Sequence, residues 1–554
     1  MTGQESVKEI RDDNRAGLGD DSANVPQLGA IARFEFKFIL LLALLLCAVS
    51  SIPYIVGHFA PYPGSVFTGV LAFEDDANNY LAYAHQAAAR AWLFHNPMTG
   101  EVHGNVFFNL EWLLIGKLAA VLHISVGSAM NGMRVLFIPI MYCAVYWLAT
   151  FLIRDLVWRR AALVAAVLGG GFGWFLLALN LLHIPAEQSY FYDLKTGLFP
   201  YFWTLKAPHH LIAGTFATLS LCMYLRAERR PRVGSYAAAG LLFLLTGACR
   251  PYDMVYLLAA TGVYWVVSSW RSGKLDRQAL LRLVPSGMCL PLLGYYYWIF
   301  RIHPVFRWWT LPGQAPPAPW VLAFSFGLAF PFLLLSVWKL RGERLRQADV
   351  FMICCVITAC ALVYSHRLLP FTFQYATDIL VPLVMVVFLG LEKPFVQWNA
   401  QSRWACIALV ALLVVNSLTA VALTAQTARL AWRGNSRLDR GLAESYTWLN
   451  RHSRADEVVL ADIANSNRIP QYTHNRVYCG YISAVRYEEK VKAVDQFLAP
   501  GTSEEFRVNL LQQNSVRYVL LTQEEAAQLP MLLGIQFLHR VFANHDAVIY
   551  LVEK

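Results

Sequence analysis

The sequence predicts a polytopic α-helical membrane protein of about eleven spans, followed by a C-terminal soluble α/β domain. Three observations predict it. Hydrophobic residues make up 57% of the 554 and come in blocks about as long as a bilayer is thick, while only 15% of the residues are charged. Clusters of Lys and Arg punctuate alternate connections between the blocks. From about Trp432 onward the apolar blocks give way to short alternating pieces of ordinary globular polarity.

Residues 1–35 read as a cytoplasmic tail, charged, poor in aromatics through about Gln27, and disordered by composition. The first block, 36–57, has no small-residue cleavage pattern behind it, so it reads as a retained span rather than a removed signal peptide. The transmembrane domain then runs over 36–430, with a first external loop at about 58–130. Arg154, Arg159 and Arg160 follow one block; Arg226, Arg229, Arg230 and Arg232 follow another. Later blocks are followed by Arg271, Lys274, Arg277 and Arg282, by Lys339, Arg341, Arg344 and Arg346, and by Lys393 and Arg403. Short loops of this kind stay cytoplasmic.

The loops starting near His183, Arg250, Arg301 and Tyr364 carry fewer basic residues and more aromatic, His and acidic ones, and are expected to face outward. For this alternation to hold, Val106–His123 is not a span; its Glu111 and Lys117 fit an amphipathic element in the outer interface. With the N-terminus inside, an odd number of spans puts residues 431–554 outside. There Glu444–His452 reads as a helix and Val458–Ala461 and Tyr518–Leu521 as buried strands. Leu538–Ala543 with Ala547–Val552 reads as a hairpin around Asn544-His545-Asp546.

The net charge of +10 is mostly this topology signal, and no basic patch interleaved with aromatics points to nucleic acid. Only Cys479 of the ten cysteines falls in the C-terminal region, so no disulfide forms within it. The chain has no Asn-x-Ser/Thr acceptor, which favours a bacterial inner membrane over a glycosylating compartment.

Chemistry concentrates on the outward face. Glu74, Asp75 and Asp76 open an amphipathic helix whose apolar members recur at Tyr80, Ala84, Ala87 and Ala91, and which is expected to lie flat on the outer surface. Acids at a helix N-terminus are stabilised by the macrodipole and the free amides, which is one reading. Carboxylates beside hydrocarbon are costly, and the other reading makes one of them a general base or metal ligand at the lip of a pocket between spans.

Other outward loops bring polar groups to the same face. One holds Glu187, Asp193, Lys195, Lys206, His209 and His210. Adjacent histidines at a helix start bind a metal or a phosphate, or merely solvate the interface; pointing about 100° apart, they chelate poorly. Arg250 and Asp253 flank Pro251. Arg301, His303 and Arg307 precede Trp308 and Trp309, and His366 and Arg367 precede Phe371 and Gln374. Guanidinium groups at this level suit phosphate through paired charge-assisted hydrogen bonds, or snorkel to headgroups.

On these residues the chain resembles the GT-C superfamily of membrane glycosyltransferases, which includes protein mannosyltransferases, aminoarabinose transferases and oligosaccharyltransferases. The resemblance lies in the architecture of the whole chain and most specifically in the first external loop. There Asp75-Asp76 is followed by Asn79-Tyr80-Leu81-Ala82-Tyr83-Ala84, and Asn109-Leu110-Glu111-Trp112-Leu113-Leu114 looks like the family's second interfacial helix. The tail from Glu444-Ser445-Tyr446-Thr447-Trp448-Leu449 looks like the extracytoplasmic domain of many bacterial members. The pair here is Asp-Asp rather than Asp-Glu, Glu74 adds a third acid, and no Trp-Trp-Asp signature occurs, so the branch and the sugar stay open.

The resemblance implies inverting transfer of a sugar from a polyprenyl-phosphate donor in the outer leaflet to a hydroxyl of a lipid, glycan or protein acceptor. Asp76, or Asp75, is then the base; Asp76 precedes the aromatic Tyr80 by about one turn, as the family's base does. Arg250, Arg301, Arg307, His366, Arg367 and Lys206 are the residues for the donor phosphate, and Glu74, Tyr80, His209, His210 and Gln374 those for the substrate. No nucleotide site or organic cofactor is required, and a divalent metal is left open. The rivals are a transporter or flippase of a lipid-linked saccharide, against which stands the lack of visible internal repeats, and a non-catalytic assembly protein.

Overall fold

The computed structural model describes residues 29–182, 184, 192–195, 197–309, 315–369, 371–396, 402–529 and 537–553. The expected tail before residue 29, Glu187, and the side chains of Lys195, Lys393 and Arg403 lie outside the described residues.

Among the described residues, four helices are long and apolar enough to cross a membrane: α1 (Arg33–Phe59), α4 (Val126–Leu152), Thr372–Glu392, and Ile407–Trp432 within the longer helix α7 (Ser402–Trp432). Two bent pairs raise the number to six if each is one span. They are Leu156–Leu168 with Gly173–Asn180, bent by 45°, and Pro319–Ser325 with Ala329–Leu340, bent by 98°. The expected eleven is not reached on length and apolarity. Val233–Cys249 and Gln347–Val363, with 17 residues each, cover only about 25 Å of a hydrocarbon layer about 30 Å thick.

Two short helices carry the first external loop. Helix α2 (Glu74–Ala88) starts after Phe73, whose φ of 51° is left-handed, a conformation non-glycine residues hold only when their surroundings impose it. Helix α3 (Leu110–Leu122) is capped by Asn109, whose side chain accepts from the amides of Glu111 and Trp112. The two pack so closely that a Cβ on Gly116 would come within 2.2 Å of the Ala84 carbonyl, so only glycine fits there. Val106–His123 is thus a 13-residue helix and its lead-in, too short to span.

The C-terminal part begins with β2 (Arg437–Asp439) and α8 (Arg440–His452). β3 (Val458–Leu460), β4 (Arg476–Val477), β5 (Val516–Thr522), β6 (Leu538–Ala543) and β7 (Ala547–Val552) then form one sheet in the order β4-β3-β5-β7-β6. Its first three strands are parallel, and β5, β7 and β6 are antiparallel. Apolar side chains pack on both faces, around Phe497 and Leu511 on one and Tyr446 and Leu449 on the other.

This unit is docked on the first loop. β1 (Ser65–Phe67) pairs antiparallel with β2. The amides of Val477 and Gly480 donate to the carbonyls of Pro97 and Met98, both at 3.0 Å. Helix α9 (Ile463–Tyr472) lies against α2. Helix α2 therefore does not lie flat on an open surface as its amphipathic pattern predicts. Asn78, Asn79, Leu81, Ala82, Tyr83, Ala84 and Ala87 are all buried, because α3 covers one side and α9 another.

Candidate active site

The acidic cluster sits where α2 meets α9 and the chain after β4. Glu74 pairs with Arg468 at 2.7 Å. The carboxylate of Asp75 is exposed, and its main-chain oxygen accepts from Asn467 Nδ2 at 3.1 Å. Half-buried Asp76 accepts through Oδ1 from the hydroxyl of Tyr481. Burial pushes the Asp76 carboxyl above the usual range; the Tyr481 hydrogen bond opposes this, and the charge of Asp75 adds to it.

One turn along α2, Tyr80 stacks on Trp112 of α3, ring centroids 4.6 Å apart, and lies 5.0 Å from the ring of His209. Its phenol is raised well above its ordinary value, by burial first, then by Asp76 and Tyr252, with Arg250 opposing and Glu111 adding. The charges that act on Tyr80 are those of Asp76 on its own helix, Glu111 on α3, and Arg250 and Tyr252 at the start of α6 (Pro251–Ser272). A cavity beside it is lined by Tyr54, Phe73, Tyr80, Met130, Lys206 and His209. Half-buried Lys206 brings a cation to this cavity, its ammonium pushed down by burial to about 8. Its segment is anchored by Tyr54, which donates to the Leu205 carbonyl at 3.1 Å. Arg134 of α4 also anchors it, donating to the Thr204 carbonyl at 3.1 Å and lying over the Tyr54 ring.

Arg250 donates to Asp253, their charged atoms 3.1 Å apart, and to Gln374 Oε1 at 2.9 Å. Its field also reaches His209 and His210, whose rings meet edge-on at 4.3 Å at the start of α5 (Pro208–Arg229). Several buried polar atoms here have no hydrogen-bond partner: both side-chain atoms of Asn79, both carboxyl oxygens of Glu111, Nδ1 of His210 and Oδ2 of Asp378. Buried polar atoms are nearly always paired, so a cluster of unpaired ones points to a ligand or water between them.

Of the residues singled out in the sequence, Asp76, Tyr80, Lys206, His209, His210, Arg250 and Gln374 come together, with Glu74 and Asp75 at the edge. Arg301, Arg307, His366 and Arg367 do not join them: all four are exposed, and none makes a hydrogen bond or ion pair with Asp76, Tyr80 or Arg250. Arg307 lies over the ring of Trp308 instead, as a cation does in an interfacial belt. Tyr481, Asn467, Arg468, Arg134 and Asp378 belong to the site or its support and carry no motif; only the chain's folding back onto α2 reveals them. Among the described residues no group of three or more His, Cys, Asp or Glu side chains is placed to hold a metal ion.

No protein-family model matches the chain, and no curated protein matches it in sequence. Solved structures do match in shape. The chain is similar to arabinofuranosyltransferase AftD from Mycobacteria, with 13% identity and a TM-score of 0.57 over 95% of this chain and 42% of that one, so it spans less than half of that protein. An oligosaccharyltransferase from Archaeoglobus fulgidus tethered with an acceptor peptide aligns at 11% identity and TM-score 0.54, over 93% of this chain and 74% of that one. ArnT from Cupriavidus metallidurans, bound to undecaprenyl phosphate, aligns at 11% identity and TM-score 0.51, over 94% and 98%. At such identities the likeness is one of fold, shared with these three transferase structures.

Proposed function

We propose that this chain is a GT-C-type glycosyltransferase that moves a sugar from a polyprenyl-phosphate donor to an acceptor hydroxyl at the non-cytoplasmic face of a bacterial inner membrane, with inversion. The observation that carries the reading is the convergence of a carboxylate, Asp76, and two cations, Arg250 and Lys206, around Tyr80 in this fold. Asp76 takes the acceptor's proton, the oxygen attacks the anomeric carbon, and the bond from that carbon to the phosphate oxygen breaks. The charge left on the polyprenyl phosphate is met by Lys206 and Arg250. Burial favours Asp76 over exposed Asp75, since a base with a raised pKa holds a proton better at neutral pH. Residues 431–554 are then an extracytoplasmic domain closing the site from above. Asp75, Arg301, Arg307, His366 and Arg367 stand at or beyond its rim, where they steer or seat headgroups. His209, His210 and Gln374 line its walls, and Glu74 binds Arg468 at its edge.

The test is consumption of undecaprenyl-phosphate-linked sugars by the purified chain. Loss of turnover in Asp76→Asn with retention in Asp75→Asn supports the reading. Full turnover in both variants removes it.

A further inference from the structure

Every member of the acidic cluster touches the C-terminal unit. Glu74 is held by Arg468, the Asp75 carbonyl by Asn467, and Asp76 by Tyr481, while Asn467 Oδ1 also accepts from Asn78 Nδ2 at 2.8 Å. Of these contacts only that of Tyr481 reaches the Asp76 carboxylate. The Tyr481 side chain is itself fixed: it is buried against Ala82 of α2 and Met98, and the neighbouring Gly480 amide donates to the Met98 carbonyl.

We propose that Tyr481 is a positioning residue for Asp76. From the C-terminal unit it occupies one carboxylate oxygen and leaves the other to take the acceptor's proton, so that the two units share one active centre. This rests on Asp76 being the base. The groups facing Asp76 are Asp75 and Tyr80 on its own helix, Tyr252 at the start of α6, and Tyr481. The Glu74–Arg468 pair lies beside them, and Arg250 acts on the far side of Tyr80. Among the described residues only Tyr481 donates a hydrogen bond to the carboxylate, and such a bond favours the ionised form. Without it, burial and the repulsion from Asp75 act unopposed, and the carboxyl holds its proton to higher pH.

The experiment is an infrared titration of the full chain in nanodiscs, following the protonated-carboxyl band that Asp76→Asn removes. Tyr481→Phe, which keeps the ring, is expected to move the midpoint of that band upward by about one pH unit. Replacing Tyr481 by difluorotyrosine, a stronger donor of the same shape, moves it downward. With undecaprenyl-phosphate-linked sugar as substrate, the acid limb of the pH–rate profile moves the same way in each variant. At fixed pH, kcat of Tyr481→Phe falls about tenfold, while KM changes less than about twofold. Tyr518→Phe, which removes a hydroxyl donating to the His452 carbonyl elsewhere in the same unit, leaves the midpoint in place. Wild-type turnover by Asp76→Asn sinks the base assignment and this proposal together. A dead Asp76→Asn with an unmoved midpoint in both Tyr481 variants sinks this proposal alone.

Discussion

Two buried charge clusters in this molecule are satisfied in opposite ways. At the arginine-rich end, the Glu228 carboxylate accepts from Arg282 at 2.7 and 2.8 Å, from Tyr236 at 2.6 Å and from Tyr264 at 2.8 Å. Glu35 accepts from Tyr146 at 2.6 Å, from Arg159 at 3.0 Å and from the Ala32 amide at 2.7 Å. Around Arg250 one guanidinium is shared: it bonds Asp253 and Gln374, and its field also reaches Glu111 and Asp378. Neither oxygen of Glu111 has a hydrogen-bond partner. A carboxylate with every oxygen filled holds helices together, whereas a buried one without a partner points to a ligand or water beside it.

The largest expected effect falls on the filled cluster. Arg282→Met leaves Glu228 buried without its cation, and such a loss costs about 3–5 kcal/mol. Thermal unfolding in detergent reads it, while turnover per folded molecule stays at the wild-type value. Stability equal to wild type would erase the distinction between the clusters.

At the other cluster the order of effects reverses. Asp76→Asn is expected to lower turnover by about 10²–10⁴-fold while changing stability by less than about 1 kcal/mol, because the amide oxygen still accepts from Tyr481. A large stability loss with turnover intact would make Asp76 a structural acid like Glu228.

Much of this arrangement was legible in the chain, and the part that was not has a physical cause. Local signals worked where the chain determines itself: the alternation in 538–552 gives the β6–β7 hairpin, and the charged pair Glu111 and Lys117 fits a 13-residue helix rather than a span. That Asp76 and Tyr80 stand one turn apart follows from the helix the chain forms there, since residues four apart share a face. The role of α9 over α2 was not legible, because Asn467, Arg468 and Tyr481 lie 392, 394 and 405 residues from their partners and fit an ordinary globular surface until the chain folds back. The outer cations illustrate the same limit: Arg250 points inward beside Gln374, and Arg367 is exposed, yet both look alike as arginines in outward loops.

Lys206 sharpens the comparison through pH. Its folded pKa of about 8 lies below the unfolded value of about 10.4, so between the two the unfolded chain holds a proton that the folded chain has lost. Stability contributed by this residue therefore rises with pH over that window, while turnover falls about tenfold per unit above about 8 as the cation for the donor phosphate disappears. Lys206→Arg, charged throughout, removes this alkaline limb. A limb that persists in the variant assigns it to another group.

The smallest effect is expected at Glu111, and it discriminates best between the two clusters. Burial pushes its carboxyl well up, the charge of Arg250 opposing and that of Asp253 adding, and neither oxygen has a hydrogen-bond partner to lose. Glu111→Gln keeps the shape and breaks no hydrogen bond, and stability should change by less than about 1 kcal/mol, in contrast to about 3–5 kcal/mol for removing a partner from the Glu228 cluster. What the substitution alters is the pattern of donors and acceptors offered beneath Tyr80, so the KM for the polyprenyl-linked sugar rises severalfold with kcat nearly unchanged. If instead the variant unfolds as readily as Arg282→Met, Glu111 is a structural residue, and the empty carboxyl no longer marks a place kept for substrate.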